Sequence, residues 1–338
     1  MGLRSQFDEY RFSYRRLSAG MPPAALRMTK FIFRWPPLKK RFPDYQRQQA
    51  VVELPAEPLR CQAPPAVQLL VVAAEKDFET LPLCLAGALA NSGNPISQVV
   101  VITTATGVAE CSRIASDAAK GFAVTVLNED DQLSAGMRGR LRARFGLRYG
   151  WILQQLLTTN FVAQSAAPGV LVVDADTVLL HPRCLLATGG RQVLTPTPVV
   201  HHPYYRFLHS IGMCAVEPAG TFVAHFMLMQ PRIMRAALAG ANCADTEALA
   251  ELVISGADVN ENSSVCVEYE LYAQYLLAQH PALVSLAKWG NTSVSLDGLQ
   301  QPVSMQSLSA QFNGWGSVSM HSYLAETTAV PARLLANI

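Results

Sequence analysis

Gly169-Val170-Leu171-Val172-Val173-Asp174-Ala175-Asp176-Thr177-Val178-Leu179-Leu180-His181-Pro182 is the stretch that decides the architecture. Val170 to Val173 is an unbroken apolar run, rich in β-branched residues, that comes after a turn signal at Pro168-Gly169. Such a run predicts a strand covered on both faces, as in a mostly parallel sheet with helices on either side. It stops at two carboxylates, Asp174 and Asp176, with only Ala175 between them. In open α/β sheets ligands bind beyond the carboxyl ends of the strands. Two like charges at that place repel unless something positive joins them. A hard divalent cation held by one or two carboxylates plus phosphate oxygens would do so. The plain alternative is that the acids only turn the chain, with Asp176 capping the next element.

Upstream, strands and helices alternate. Strands are predicted over Val67–Ala74, Ser97–Thr103 and Phe122–Leu127, with helices over Thr80–Asn91 and Gly107–Lys120 between them. Alternation on this scale means βαβ units and a parallel sheet. A longer helical region comes next over Leu133–Gln164, broken at Gly146–Gly150, and leads into the Asp-Ala-Asp strand. Downstream the pattern is less regular. Phe222–Gln230 reads as a strand containing His225, Pro231–Leu238 as a helix with proline in its first turn, and Ser264 opens a helix reaching about Gln279. A short strand is expected over Val284–Ala287, and Val318-Ser319-Met320-His321 alternates so that His321 would end a strand.

The chain has 338 residues, half of them hydrophobic and 15% charged, which suits a well-buried globular fold. Net charge is only +2, so no global basic field points to nucleic acid. The charge is uneven: residues 1–60 carry +7 and the remainder −5. Residues 1–66 thus read as a basic extension and linker, and residues 67–338 as the main domain. Phe31, Phe33 and Trp35 interleave with Arg34, Lys39, Lys40 and Arg41. That mixture suits an anionic membrane surface, or an arm packed on the body with a solvated basic face. The seven cysteines lack a Cys-x-x-Cys pair, so reduced thiols in a cytosolic protein are expected, with neither a disulfide frame nor a zinc site. No secretory signal and no membrane-spanning run is visible.

The order of these elements resembles the glycosyltransferases of the GT-A fold. The resemblance is carried by Val172-Val173-Asp174-Ala175-Asp176-Thr177, Tyr149-Gly150-Trp151-Ile152-Leu153-Gln154-Gln155, Glu268-Tyr269-Glu270-Leu271-Tyr272 and His321-Ser322-Tyr323. It is most similar to a group of bacterial surface-polysaccharide glycosyltransferases, over roughly residues 67–323. The resemblance implies a Rossmann-like, mostly parallel sheet, with a donor half over 67–180 and a mixed acceptor half over 181–338. It implies a nucleotide-sugar donor, a glycan or lipid-linked acceptor, and a location in the cytoplasm or on the inner face of the cytoplasmic membrane. It further implies Mn²⁺ or Mg²⁺ held by Asp174, Asp176 and His321, with Asp174 binding either metal or ribose.

Other roles rest on chemistry at comparable places. Transfer needs a carboxylate to take the acceptor's proton, and Glu268, then Glu270, stand at a helix start in the second half. The same position also simply favours a carboxylate through the helix dipole. Donor contacts are expected at early strand ends, at Ala73, Glu75 and Thr103, with Arg148 toward the diphosphate. His201, His202, Tyr204, Tyr205 and His225 could line an acceptor pocket or merely pack.

Two rival readings remain. Asp174-Ala175-Asp176-Thr177-Val178 also fits the first motif of haloacid-dehalogenase-like phosphatases, with Asp174 as nucleophile. That motif normally opens its domain, and Lys288 comes after rather than before Gly256-Ala257-Asp258. The other rival is a non-catalytic nucleotide-binding module at the membrane.

Overall fold

The computed structural model describes residues 63–196, 202–213, 221–257, 265, 268–296, 299 and 303–321. The basic extension before residue 63, and with it the aromatic and arginine-rich stretch at 31–41, lies outside the described residues, as do His201, Ser322 and Tyr323.

Five strands form the central sheet: β1 (Val67–Val72), β2 (Ile96–Thr103), β3 (Val124–Asn128), β4 (Val170–Val173) and β7 (Phe226–Met229). They lie in the order β3-β2-β1-β4-β7. All pairings are parallel except β4 with β7, which is antiparallel. The expected α/β architecture is therefore present: a mostly parallel sheet flanked by helices. Between β1 and β2 comes α1 (Leu81–Asn91), and between β2 and β3 comes α2 (Val108–Ala118). After β3 the chain forms α3 (Ala135–Phe145) and α4 (Tyr149–Gln164), separated by a single 3₁₀ turn at Gly146–Arg148, so the predicted break is real.

Alternating side chains send each strand's apolar residues to both faces. On one face Leu70, Val100, Ile102, Val170 and Val172 pack with α3 and α4 in a buried core. On the other, Leu69, Val71, Val99, Val101, Leu171 and Val173 pack with Leu81, Cys84 and Leu85 of α1 and Cys111 and Ala115 of α2. All four residues of β4 are buried, as the unbroken apolar run requires. The second half of the chain returns to this sheet, because β7 lies at its edge beside β4.

A smaller sheet is built from β5 (Thr177–Leu179), β9 (Asn291–Val294) and β10 (Ser317–Met320), in the order β5-β10-β9. A two-stranded pair joins β6 (Gln192–Leu194) to β8 (Val284–Leu286). The later helices are α5 (His202–Ser210), α6 (Pro231–Gly240), α7 (Thr246–Gly256), α8 (Tyr269–Gln279) and α9 (Met305–Gln311).

Three expectations need correction. The strand expected over Phe222–Gln230 covers only Phe226–Met229, because His225 takes a left-handed backbone, φ +64°, that no strand residue adopts. The last long helix opens at Tyr269, with Glu268 as its N-cap and no side-chain capping bond. Cys184 is disulfide-bonded, whereas Cys84, Cys111 and Cys243 are free and buried. The expectation of reduced thiols throughout fails at that cysteine.

Candidate active site at the carboxyl end of β4

β1 sits mid-sheet, with β2 on one side and β4 on the other, so strand order reverses between β1 and β4. Such a reversal opens a crevice at the carboxyl ends of the two strands. Asp174 and Asp176 leave β4 at that edge, and Ala73 leaves β1 there.

Two antiparallel pairings bring a histidine to each acid. Phe226 of β7 pairs with Val173 of β4, so His225 falls opposite Asp174. Its carbonyl accepts from the Asp174 amide at 2.9 Å, and its Nδ1 lies 3.0 Å from Asp174 Oδ2. Ser319 of β10 pairs with Thr177 of β5, which aligns Met320 and His321 with Asp176. The Met320 amide donates to the Asp176 carbonyl at 2.8 Å, and His321 Nδ1 lies 2.9 Å from Asp176 Oδ2. The hydroxyls of Thr177 and Ser319, both buried, bond at 2.8 Å and fasten the same pairing. The two imidazole rings stand 5.3 Å apart, centroid to centroid, tilted by 54°.

The acids differ in how much of their hydrogen-bonding capacity is taken. Asp174 Oδ1 accepts from the Tyr269 hydroxyl at 3.0 Å and from Gln154 Nε2 at 3.4 Å. Among the described residues Asp176 Oδ1 meets only the Thr177 hydroxyl, at 3.3 Å. From beneath, the α1 end holds the loop: Thr80 Oγ1 donates to the Ala175 carbonyl at 3.0 Å and Cys84 Sγ to the Asp174 carbonyl at 3.4 Å.

Burial alone would raise the Asp176 carboxyl, but the His321 hydrogen bond and the charges of His321 and His225 hold it below the usual carboxylate value. Burial alone would lower His225, but the hydrogen bond and charge of Asp174, with Asp176 beyond, raise it above the ordinary imidazole value.

Glu268 is 5% exposed, and one of its oxygens meets no partner among the described residues. Burial, reinforced by the Asp174 charge, pushes its carboxyl well above the usual range, against a smaller opposing pull from Thr158. Glu270 is fully buried and pushed up to about 7, chiefly by burial, although its Oε1 accepts from the Phe222 amide at 2.6 Å. So Glu268 lies within electrostatic reach of Asp174, while Glu270 fastens the Phe222 backbone.

At the β1 and β2 ends, Ala73 is buried and Glu75 is exposed. Glu75 accepts from the hydroxyls of Thr104 and Thr106, which lowers its carboxyl below the usual value. Thr103 is buried, and its hydroxyl has no hydrogen-bond partner among the described residues. Arg148 lies over the Trp151 ring, 4.4 Å from its centroid. In the same run Arg138 pairs with Asp130, Arg140 with Glu251, Arg142 lies over the Tyr149 ring, and Arg144 donates to the carbonyls of Ile254 and Ala257.

Among the described residues no three His, Cys, Asp or Glu side chains are arranged to hold a metal ion by themselves. The donor set still fits a hard cation completed by substrate. Carboxylate oxygen and imidazole nitrogen suit Mn²⁺, and Mg²⁺ commonly takes one or two carboxylates plus phosphates. Asp176 and His321 meet directly, while Asp174 meets His225, whose ring stands beside that of His321.

Sequence reasoning named Asp174, Asp176 and His321, of which Asp176 and His321 are in contact, and missed the partnership of His225, Tyr269 and Gln154 with Asp174. The one available signal for Gln154 was its place on the helix leading into β4.

The chain is similar in structure to mouse xyloside xylosyltransferase 1 in its apo crystal form, at 12% sequence identity and a TM-score of 0.44, over 79% of this chain and 100% of that one. No protein-family model matches the chain, and neither does the sequence of any curated protein. Among the described residues no helix is long and apolar enough to cross a membrane.

Proposed function

We propose that the protein is a glycosyltransferase, moving a sugar from a nucleotide-sugar donor to a glycan or lipid-linked acceptor in bacterial surface-polysaccharide synthesis. The observation that carries the reading is the acid pair at the β1/β4 reversal, each acid met by a histidine from a distant strand. A crevice edge of that kind suits a diphosphate and its counter-ion.

In this proposal Asp176 and His321 hold Mn²⁺ or Mg²⁺, with Asp174 beside them. When bound, the cation supplies Lewis-acid neutralisation of the leaving diphosphate. Tyr269, Gln154 and His225 fix the orientation of the Asp174 carboxylate. Ala73, Glu75 and Thr103 border the nucleoside, the unpartnered Thr103 hydroxyl offering it a hydrogen bond. Arg148 is assigned to the diphosphate side. Glu268 takes the acceptor's proton; the Asp174 charge reaches it, and one of its oxygens meets no partner among the described residues. Glu270, engaged with Phe222, is the weaker candidate. The protein would work in the cytoplasm, resting on the inner membrane face.

Thermal shift and calorimetry with a panel of nucleotide-sugars, each with and without Mn²⁺, test the reading. Metal-dependent binding of at least one donor is expected. Release of phosphate from simple phosphomonoesters without such binding would overturn it in favour of a phosphatase.

A further inference from the structure

The two faces of the small sheet β5-β10-β9 are unlike. Along β10, Ser317 and Ser319 alternate with Val318 and Met320, and alternate residues of a strand share a face. Val318 and Met320 pack with Val178 and Leu180 in an apolar cluster. Ser317 and Ser319, with Thr177 of β5, are fully buried hydroxyls. Burying a hydroxyl without a hydrogen bond is costly, so three of them together call for an account of where their protons go.

Strand register brings the partners together. Ser317 pairs with Asn291 of β9, and Ser319 with Thr177 of β5. Trp289, two residues before Asn291, donates from Nε1 to Ser317 Oγ at 2.8 Å. Ser317 donates to Asn291 Oδ1 at 2.6 Å, and Asn291 Nδ2 donates to Ser319 Oγ at 3.2 Å. The Ser319 and Thr177 hydroxyls bond at 2.8 Å, and Thr177 donates to Asp176 Oδ1 at 3.3 Å.

The direction of this chain is fixed from both ends. An indole N–H only donates, an ionised carboxylate only accepts, and a hydroxyl has one proton to give. Thr177 gives its proton to Asp176, so it accepts from Ser319. Ser319 then has no proton left for Asn291 Oδ1, 3.4 Å away, and accepts from Nδ2 instead. At the far end Ser317 accepts from Trp289 and passes its own proton to Asn291 Oδ1. The amide of Asn291, an acceptor on one atom and a donor on the other, joins the two halves. Hydrogen bonds that run one way polarise each other in series.

We infer that Asn291 is a positioning residue for Asp176: its amide sets the direction of the chain and so keeps the Thr177 proton on Asp176 Oδ1. Asp176 Oδ2 meets His321, so the carboxylate is held at both oxygens. A carboxylate has about four lone-pair sites, which leaves room for a cation. The cation rests on the function proposed above; the hydrogen-bond chain does not.

Asn291→Asp keeps the shape of the side chain but replaces its donor with a second acceptor. Ser317 and Ser319 would then both donate to it, Thr177 would turn to Ser319, and Asp176 would lose its donor. Thr177→Val removes the same donor at the last link, and Thr177→Ser restores it. Mn²⁺ titrated into the full chain and followed by electron paramagnetic resonance should bind about tenfold or more weakly to Asn291→Asp and Thr177→Val, and as in wild type to Thr177→Ser. An added negative charge acting only through space would strengthen cation binding, so unchanged or tighter Mn²⁺ binding by Asn291→Asp overturns the inference. If Asn291→Asp fails to fold, Asn291→Ala should weaken binding in the same direction, and unchanged binding there overturns it equally. In the metal-free protein, Asn291→Asp and Thr177→Val should each shift the His321 imidazole nitrogen resonances, and the double variant should shift them no further. Additive shifts would mean that the two residues act independently and overturn the inference. Wild type that binds no Mn²⁺ counts against the proposed function, and the His321 resonances then decide the role of Asn291.

Discussion

His321 Nδ1 lies 2.9 Å from Asp176 Oδ2 across 145 residues of chain. The contact exists because β5 begins one residue after Asp176 and β10 ends one residue before His321, and the two strands pair antiparallel. The register of a three-residue strand thus decides whether the acid has an imidazole partner.

Gly316 protects that register. A Cβ there would come within 2.4 Å of the Trp289 ring, whose Nε1 donates to Ser317 Oγ at 2.8 Å. Gly316→Ala must displace the indole and the start of β10. We expect a loss of about 1–3 kcal/mol, typical of overpacking, and a shifted His321 imidazole resonance. A variant with unchanged urea midpoint and unchanged His321 signal would contradict this role for Trp289.

His225 is held in a left-handed backbone, φ +64°, while its side chain binds Asp174. For a residue with a Cβ that conformation costs about 1–2 kcal/mol. His225→Gly and His225→Ala both remove the imidazole, but only alanine keeps the strain. The glycine variant should be the more stable by about 1 kcal/mol in chemical denaturation. An alanine variant as stable as the glycine one would show that the backbone is not strained.

Much of this was legible in the chain. The apolar run at Val170–Val173 and the acids after it announce a buried strand and a ligand edge, and the alternation after Val67 announces the parallel sheet. These are local signals. Pairing of β4 with β7 and of β5 with β10 is not local, and strands of three or four residues carry too little pattern to declare a partner. Hence His225 looked like any pocket histidine, and the acid and carbonyls that meet Arg140 and Arg144 from about 110 residues away left no local sign.

The two buried glutamates predict a pH dependence of stability. Glu270 rises from 4.5 to about 7 on folding. Between those values the folded state binds more protons than the unfolded one, so stability falls as pH rises through that window. The loss attributable to Glu270 is on the order of 3 kcal/mol. His225, raised on folding, contributes in the same direction, while Asp176, lowered, acts only at more acid pH. Glu270→Gln keeps an oxygen for the Phe222 amide and cannot ionise. Its urea midpoint should therefore vary less between about pH 5 and pH 8 than that of wild type. An equally steep profile would place the titration elsewhere.

The acid pair can be tested by its weaker-held member. Asp176→Asn keeps the shape of the side chain but removes the charge that faces His321. Far-ultraviolet circular dichroism should be unchanged, and Mn²⁺-dependent donor affinity should fall at least tenfold. Full affinity in the variant would remove Asp176 from the metal assignment.

The most direct measurement is anomalous diffraction from crystals grown with Mn²⁺ and a nucleoside diphosphate. A manganese peak is expected between Asp176 and His321 at the β4 edge, with diphosphate oxygens completing its shell. No peak there, with Asp174 and Asp176 still closed on His225 and His321, would contradict the proposed metal site.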